Sequence, residues 1–232
     1  AEDWEAARLP SLKEFQVSTF TGAASYAYPI QVPPGPGGLQ PSVSLTYSSL
    51  AADSASGNSQ ASWVGMGWSL DVGSIERNMN GTMRFLNDDT FTIATNGVSG
   101  LMLEGTDGYY HTTDESFWRI DYDAASDSWT AWDKTGNIYT FGAESGDRAS
   151  YPLFDPTNCS TSPYGYLGDK TYKWMLSSVE NIFGKTITYS YIRETKNVDG
   201  VCSQDGTTHA VNTAIYPDDI RYAHNHYRVR FA

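Results

Sequence analysis

The side chains best suited to chemistry in this chain are two histidines, His224 and His226, separated by one residue. The alternating pattern around them predicts a β-strand, which would place both imidazoles on one face about 7 Å apart. Two such rings suit zinc, but a zinc site needs at least a third ligand. His209 and the pair Asp218-Asp219 could reach them only if the chain folds back. We therefore treat the histidines as candidate ligands and predict no bound metal and no cofactor.

Other groupings that could support catalysis lack a required residue. The acidic pairs do not follow the calcium-loop pattern, and no Gly-x-Ser-x-Gly nucleophile elbow occurs. Gly65 and Gly67 are not followed by the lysine of a phosphate-binding loop. We therefore predict that the chain is not an enzyme. The acidic pairs are Asp88-Asp89, Asp121-Tyr122-Asp123 and Asp218-Asp219.

Three tryptophans, Trp118, Trp129 and Trp132, are close in sequence and could form a platform on which sugar rings stack. This makes a carbohydrate-binding module one interpretation of the chain. Trp118, however, alternates in register with apolar residues, which is typical of a sheet core. Trp129 and Trp132 are three residues apart and must point to opposite sides of a regular strand.

Length, composition and charge restrict the class of protein. The 232 residues include 21 Gly, 10 Pro and 16 Tyr, which favour strands and turns over helices. The net charge of −12 disfavours binding to nucleic acid or to an anionic membrane surface. No apolar run reaches the roughly 18 residues of a spanning helix, so we expect no membrane span.

Period-two alternation between turn signals predicts the fold. It runs through 43–47, 118–122, 186–191 and 227–231, while no amphipathic helical run of 12 residues occurs. We expect an all-β chain of antiparallel meander sheets, either an open shell-like sheet or a sandwich, with long irregular loops and little helix. A near-repeat supports this: Asp133-x-x-Gly136 and Asn181-x-x-Gly184 each open an alternating strand, as in a hairpin unit.

A proline- and glycine-rich segment is the most distinctive motif. Proline restricts the segment to an extended, sharply turning crossover, since it fits neither a helix nor a central strand. A polyproline ligand segment is the alternative. Further on, two glycines indicate close approach of the backbone beneath an indole. The residues of the two motifs are Pro33, Gly35, Gly37, Gly38, and Gly65, Gly67, Trp68.

These motifs, in this order over 16–77, resemble the N-terminal region shared by insecticidal toxin-complex B components and the plasmid-virulence protein SpvB. The same region opens many large secreted Rhs/YD-repeat proteins. The later segments 129–142 and 172–191 are similar to strands that follow in that family. The resemblance implies a structural, non-catalytic part of a β-shell that encloses a polypeptide.

On this basis we expect a secreted or cell-surface module whose partners are the rest of a larger chain or other shell subunits, with an encapsulated polypeptide as a further partner. A glycan partner belongs to the carbohydrate-binding alternative, and an adhesive or fibre-forming module is a second alternative. The expected organisation is a leader over 1–15 and one β-rich module over 16–232. Within it we expect the signature part 16–77, hairpin units 78–142 and 172–232, and a loop over 143–171.

The two cysteines, Cys159 and Cys202, lie in polar, turn-rich surroundings, unlike buried structural thiols. We predict that they form a disulfide, which would close a long loop and stabilise the chain by about 4 kcal/mol. Mass spectrometry of the non-reduced protein should show a mass two hydrogens lower and one cross-linked peptide pair. Two alkylatable thiols would contradict the prediction. Reduction should loosen the loop and leave the flanking sheet folded.

Overall fold

The computed structural model describes residues 15–17, 23–56, 61–80, 88–95, 97–155, 157, 159, 165–200 and 208–231. These residues form sixteen strands, one short α-helix and two 3-10 turns, which confirms the predicted all-β class. No helix among them is long and apolar enough to cross a membrane. The elements are β1 Phe15–Val17, β2 Ala24–Pro29, β3 Ser44–Ser48, α1 Ser49–Asp53, β4 Trp68–Leu70, β5 Ser74–Asn78, β6 Thr90–Thr95, β7 Val98–Glu104, β8 Tyr110–Thr112, β9 Arg119–Asp123, β10 Ser128–Trp132, β11 Ile138–Phe141, β12 Arg148–Phe154, β13 Tyr166–Glu180, β14 Thr186–Asp199, β15 Thr208–Tyr222 and β16 Tyr227–Arg230.

The chain divides into two compact units, which we describe separately. The first, 1–31 and 42–71, holds the antiparallel sheet β1-β2-β3-β4. Here Gly67 has a φ of 77°, and its carbonyl accepts a hydrogen bond from the Ser48 N–H at 2.8 Å. A Cβ at Gly67 would lie 2.8 Å from the Tyr47 ring, so the backbone approaches closely there, but beneath a tyrosine; the Trp68 indole would lie 3.7 Å from a Cβ at Gly65.

The second unit, 32–41 and 72–232, is built around a closed antiparallel barrel. Seven strands from β5 to β11 pair in sequence order, and β13 closes the ring by pairing with both β5 and β11. Sequential hairpins with turn signals predicted the meander. The closing pair Ile138↔Glu180 joins residues 42 positions apart in sequence, which local periodicity does not reveal.

Residues 143–171, predicted as a loop, instead contain β12 and the beginning of β13. Strand β12 pairs along β13 with two register shifts, one between Ala149 and Ser150 and one between Pro152 and Phe154. These irregularities and the proline break the alternation that marks a strand, which is why the sequence indicated a loop.

The barrel interior is aromatic. Trp129, Trp174 and Phe141 are fully buried, and the two indoles contact each other edge to face at 5.8 Å between centroids. Arg77 lies against this cluster, 4.9 Å from the Phe91 ring, and its Nη1 lies 3.0 Å from the Asp89 carboxylate. The Arg77 guanidinium is therefore held against the aromatic core by a cation–π contact and an ion pair.

The tryptophan platform expected for a sugar ligand is not formed. Trp129 is fully buried and Trp118 is 6% exposed, so neither can stack on a sugar. Trp132 is partly exposed on the opposite side, as its spacing from Trp129 predicted. The Arg119 guanidinium lies 4.5 Å from the Trp132 ring and also contacts Tyr109. These rings serve the sheet and its surface packing.

Asp127, in the turn between β9 and β10, ties the barrel to the strands outside it. Its carboxylate accepts hydrogen bonds from the Tyr122 hydroxyl at 2.8 Å and the Thr171 hydroxyl at 2.6 Å. Its backbone carbonyl accepts a hydrogen bond from Trp174 Nε1 at 2.9 Å, and its carboxylate forms an ion pair with Arg148. Burial and the hydrogen bond to Asp127 raise the pKa of Tyr122 well above its usual range.

The predicted near-repeat forms two equivalent turns. The Asp133 carboxylate accepts from the backbone N–H groups of Thr135 and Asn137, and Asn181 Oδ1 accepts from those of Phe183 and Lys185. Both glycines, Gly136 and Gly184, have positive φ. The hairpin mechanism inferred from the sequence is confirmed.

Replacing the central indole tests the barrel core. We expect Trp129→Ala to lower the free energy of unfolding by about 3–5 kcal/mol, because it leaves a large cavity among aromatic rings. Trp132→Ala, on the outer side of the same strand, is the matched control and should cost clearly less. Urea denaturation followed by circular dichroism measures both. Equal losses would contradict the placement of Trp129 in the core.

Candidate functional site

The open edge of the twelve-stranded sheet is the candidate site. Beyond β13 the sheet continues through β14 and β15 to β16, which pairs only with β15 among the described strands. The Phe231 N–H donates to the Asp218 carbonyl at 2.9 Å. Because bonded and non-bonded positions alternate in antiparallel pairs, Tyr227 and Val229 also turn their backbone groups toward β15. The N–H and C=O groups of Arg228 and Arg230 therefore face the open side.

The proline- and glycine-rich segment contacts the end of β15 and helps to position this edge. It runs extended to Gly35 and then makes a tight 3-10 turn over Pro36–Gly38, as the predicted crossover requires. The Tyr222 hydroxyl donates to the Pro33 carbonyl at 2.7 Å, and the Tyr222 ring lies against Gly35. Tyr222 in turn contacts the Tyr227 ring at 5.2 Å between centroids. This segment, 33–38, which we call the strap, thus positions Tyr227, the first residue of β16.

His224 and His226 do not lie on a strand. They belong to the four-residue turn between the paired residues Tyr222 and Tyr227. The backbone of 223–225 has positive φ at all three residues, so His224 and His226 are not held on one face. The His-Asn-His alternation resembled a strand because no glycine marks the turn. Among the described residues, no three His, Cys, Asp or Glu side chains converge as a metal site would require.

A buried carboxylate joins β15 to the edge strand. Asp219 is 3% exposed, and its two oxygens accept from Arg221 Nε and Arg228 Nε, each at 2.8 Å. Burial alone would raise the pKa of the Asp219 carboxyl, but the hydrogen bonds from Arg228 and Arg221 outweigh it and hold that pKa below its usual range. The bond to Asp219 likewise raises the pKa of Arg228.

This face of the edge carries excess positive charge. The register places Arg228 opposite Arg221 and Arg230 opposite Asp219, so all four side chains share one face. The side chains of Arg221 and Arg228 are 49% and 45% exposed, and Arg230 is exposed without an ion pair in the described part of the chain. In the described part of the sheet, Arg228 and Arg230 therefore lie at an exposed edge. From the sequence, Asp219 was considered only as a zinc or calcium ligand and was missed as the anchor of these arginines, although its two-residue spacing from Arg221 places both on one face of a strand.

A concave surface elsewhere in the second unit has a volume of about 430 Å³. Its walls are mainly aromatic and aliphatic, with Arg77 and Asn212 as the polar lining groups and no carboxylate among the residues that line it. Such a lining offers no acid–base pair. The lining residues are Arg77, Met79, Tyr151, Pro152, Phe154, Tyr172, Val198, Val211 and Asn212.

The predicted disulfide has one partner, Cys202, outside the described residues, and it stays a prediction. Described residues on β12, β13 and β15 that flank the two cysteines contact each other. The His209 ring contacts both the Tyr166 and the Phe154 rings, with centroids 4.5 Å and 5.0 Å away. In the sequence, Cys159 follows Phe154 by five residues, and Cys202 precedes His209 by seven. Over these short separations the chain could bring the two cysteines within bonding distance of each other.

Comparison with protein families supports the resemblance seen in the motifs. The family model described as "Salmonella virulence plasmid 65kDa B protein", SpvB, matches residues 18–116. The predicted resemblance to the SpvB-like region of toxin-complex proteins is thereby confirmed over that stretch. The comparison with curated proteins returned no match.

Solved structures share the fold. The crystal structure of TcdB2-TccC3 matches at 22% identity with a TM-score of 0.60, covering 90% of this chain and 10% of that one. The N-terminal domain of the effector protein SpvB from Salmonella typhimurium matches at 22% identity with a TM-score of 0.52, covering 88% and 66%. A Tc holotoxin pore from Photorhabdus luminescens matches at 20% identity with a TM-score of 0.54, covering 87% and 9%. This chain thus spans a tenth of TcdB2-TccC3 and about two thirds of the SpvB domain.

Neutralising the buried carboxylate tests how the edge is held. We expect Asp219→Asn to lower the free energy of unfolding at neutral pH by about 1–3 kcal/mol, because two charge-assisted hydrogen bonds are weakened. Asp218→Asn removes the same charge one residue away and should cost less. Since the Asp219 pKa is depressed on folding, its contribution is present above the unfolded pKa of about 4 and fades as pH falls through the folded value. Urea titrations between neutral and acidic pH measure the difference, and a pH-independent difference would contradict it.

Proposed function

We propose that this chain is a non-catalytic structural β-module of a secreted Rhs/YD-type shell protein, within a larger assembly that encloses a polypeptide. The observation that carries the proposal is the open edge at β16, where backbone groups of Arg228 and Arg230 face outward at the end of the sheet. In a shell the next strand would pair there. The SpvB match over 18–116 and the fold shared with TcdB2-TccC3 support the same role.

The polar chemistry of the described residues also favours a structural role. The Asp219 carboxylate accepts hydrogen bonds from two arginines, and that of Asp127 accepts one from Tyr122 at the turn between β9 and β10. The Asp133 carboxylate accepts from the backbone of its own turn. Each of these carboxylates is committed to holding strands or turns in place, and none is directed into a cleft beside a nucleophile. The proposal includes an oxidising, secreted environment in which Cys159 and Cys202 are paired.

Two proline substitutions test whether the sheet continues through β16. Val229→Pro removes an N–H that faces β15 and should destabilise both the isolated chain and the full natural protein. Arg230→Pro removes an N–H that faces the open side. It should leave the isolated chain within about 1 kcal/mol of the parent sequence but destabilise the full protein, where a following strand would use that group. Thermal unfolding measures all four cases. Electron microscopy of the full protein should show a hollow particle. If Arg230→Pro is neutral in both contexts and the particle is solid, the proposal is wrong.

A further inference from the structure

The two faces of β16 differ in a way that specifies what can pair with it. One face carries Arg228 and Arg230, with Arg221 next to them on β15. The buried Asp219, also on β15, forms ion pairs with Arg221 and Arg228. On the other face are Tyr227, Val229 and Phe231, of which Tyr227 is 40% exposed and the other two are partly exposed. The edge therefore alternates cationic and apolar residues.

A strand added at the open side would bond to the backbone of Arg228 and Arg230. Its residues directly opposite them would lie on the arginine face, about 5.5 Å away between Cα atoms. Opposite charges in such cross-strand pairs stabilise a sheet, and like charges destabilise it. The intervening residues of the added strand would meet the apolar face. Arg221 and Arg228 bond to Asp219 through Nε, and their side chains are still 49% and 45% exposed.

We infer that the partner of this edge is an extended strand of the larger assembly with Asp or Glu at alternate positions and apolar residues between them. The inference rests on the proposed function and specifies the chemistry of the strand that continues the sheet. A second copy of this chain fits poorly, because pairing β16 with itself across a two-fold axis would bring arginines close to arginines. Nucleic acid is disfavoured by the net charge of −12.

The test adds a strand to the intact chain. Three forms carry a short flexible Gly-Ser linker after residue 232 and then a nine-residue strand of alternating Val and Glu, Val and Thr, or Val and Lys. The linker gives the added strand a millimolar effective concentration. Amide hydrogen exchange at Arg228 and Arg230, measured by NMR at low and high salt, reports whether the strand pairs. Circular dichroism checks that the sheet is unchanged.

We expect the Val/Glu strand to slow exchange at both arginines by about tenfold more than the Val/Lys strand, with Val/Thr between them and the difference reduced at high salt. Arg230→Glu is the matched charge swap, since Arg230 has no ion pair within the described residues; it should reduce the preference for Val/Glu and favour Val/Lys.

The possible outcomes separate this inference from the proposed function. Equal protection by all three strands would overturn the acidic partner while keeping an edge that accepts a strand. Protection by none of them would contradict the edge itself and with it the proposed continuation of the sheet. Protection of the unextended chain that rises with protein concentration would identify a second copy as the occupant and overturn the inference.

Discussion

The structure of the second unit depends on one constraint: β13 uses both of its backbone edges twice. Along 176–180 it pairs with β11, and along 166–174 with β12. On its other edge, 173–175 pair with β5 and 178–180 with β14. A strand has only two edges, so a 15-residue strand is needed to close a barrel and extend a second sheet at once. Where the neighbours change, the barrel opens into the sheet that ends at β16.

The side chains of β13 explain why this junction is stable. Trp174 is buried in the barrel, and its indole N–H reaches the turn at Asp127, which also binds Thr171 of the same strand. The turn between β9 and β10 is thereby fixed to the strand that closes the barrel. The strap acts similarly at the other end of the sheet, where Pro33 holds Tyr222. Long-range hydrogen bonds at a few positions thus secure pairings that are far apart in sequence.

Local features were predictable from the sequence, and non-local ones were not. The spacing of Trp129 and Trp132 gave their opposite orientations, and Asx-x-x-Gly gave the two turns, because both depend on backbone geometry within a few residues. Closure of the barrel depends on pairing Ile138 with Glu180, which no short window contains. At His224 the pattern was misleading, since three left-handed residues without glycine form a turn that local propensity disfavours. Strand β12 was missed because its bulges interrupt the alternation.

In the proposed shell, the edge at β16 would meet two opposing requirements. A strand that must accept a neighbour has to expose backbone donors and acceptors, yet the same groups promote aggregation when the neighbour is absent. Charged side chains on the edge are a common protection against self-pairing, and Arg228 and Arg230 fit that role. If they served only as protection, a buried anchor would be unnecessary, because a mobile arginine repels another copy equally well. The Asp219 side chain is instead only 3% exposed, and it holds the partly exposed guanidiniums of Arg228 and Arg221 in place. A pre-positioned cationic face loses less conformational entropy when an acidic strand pairs with it, so ordering favours recognition as well as protection.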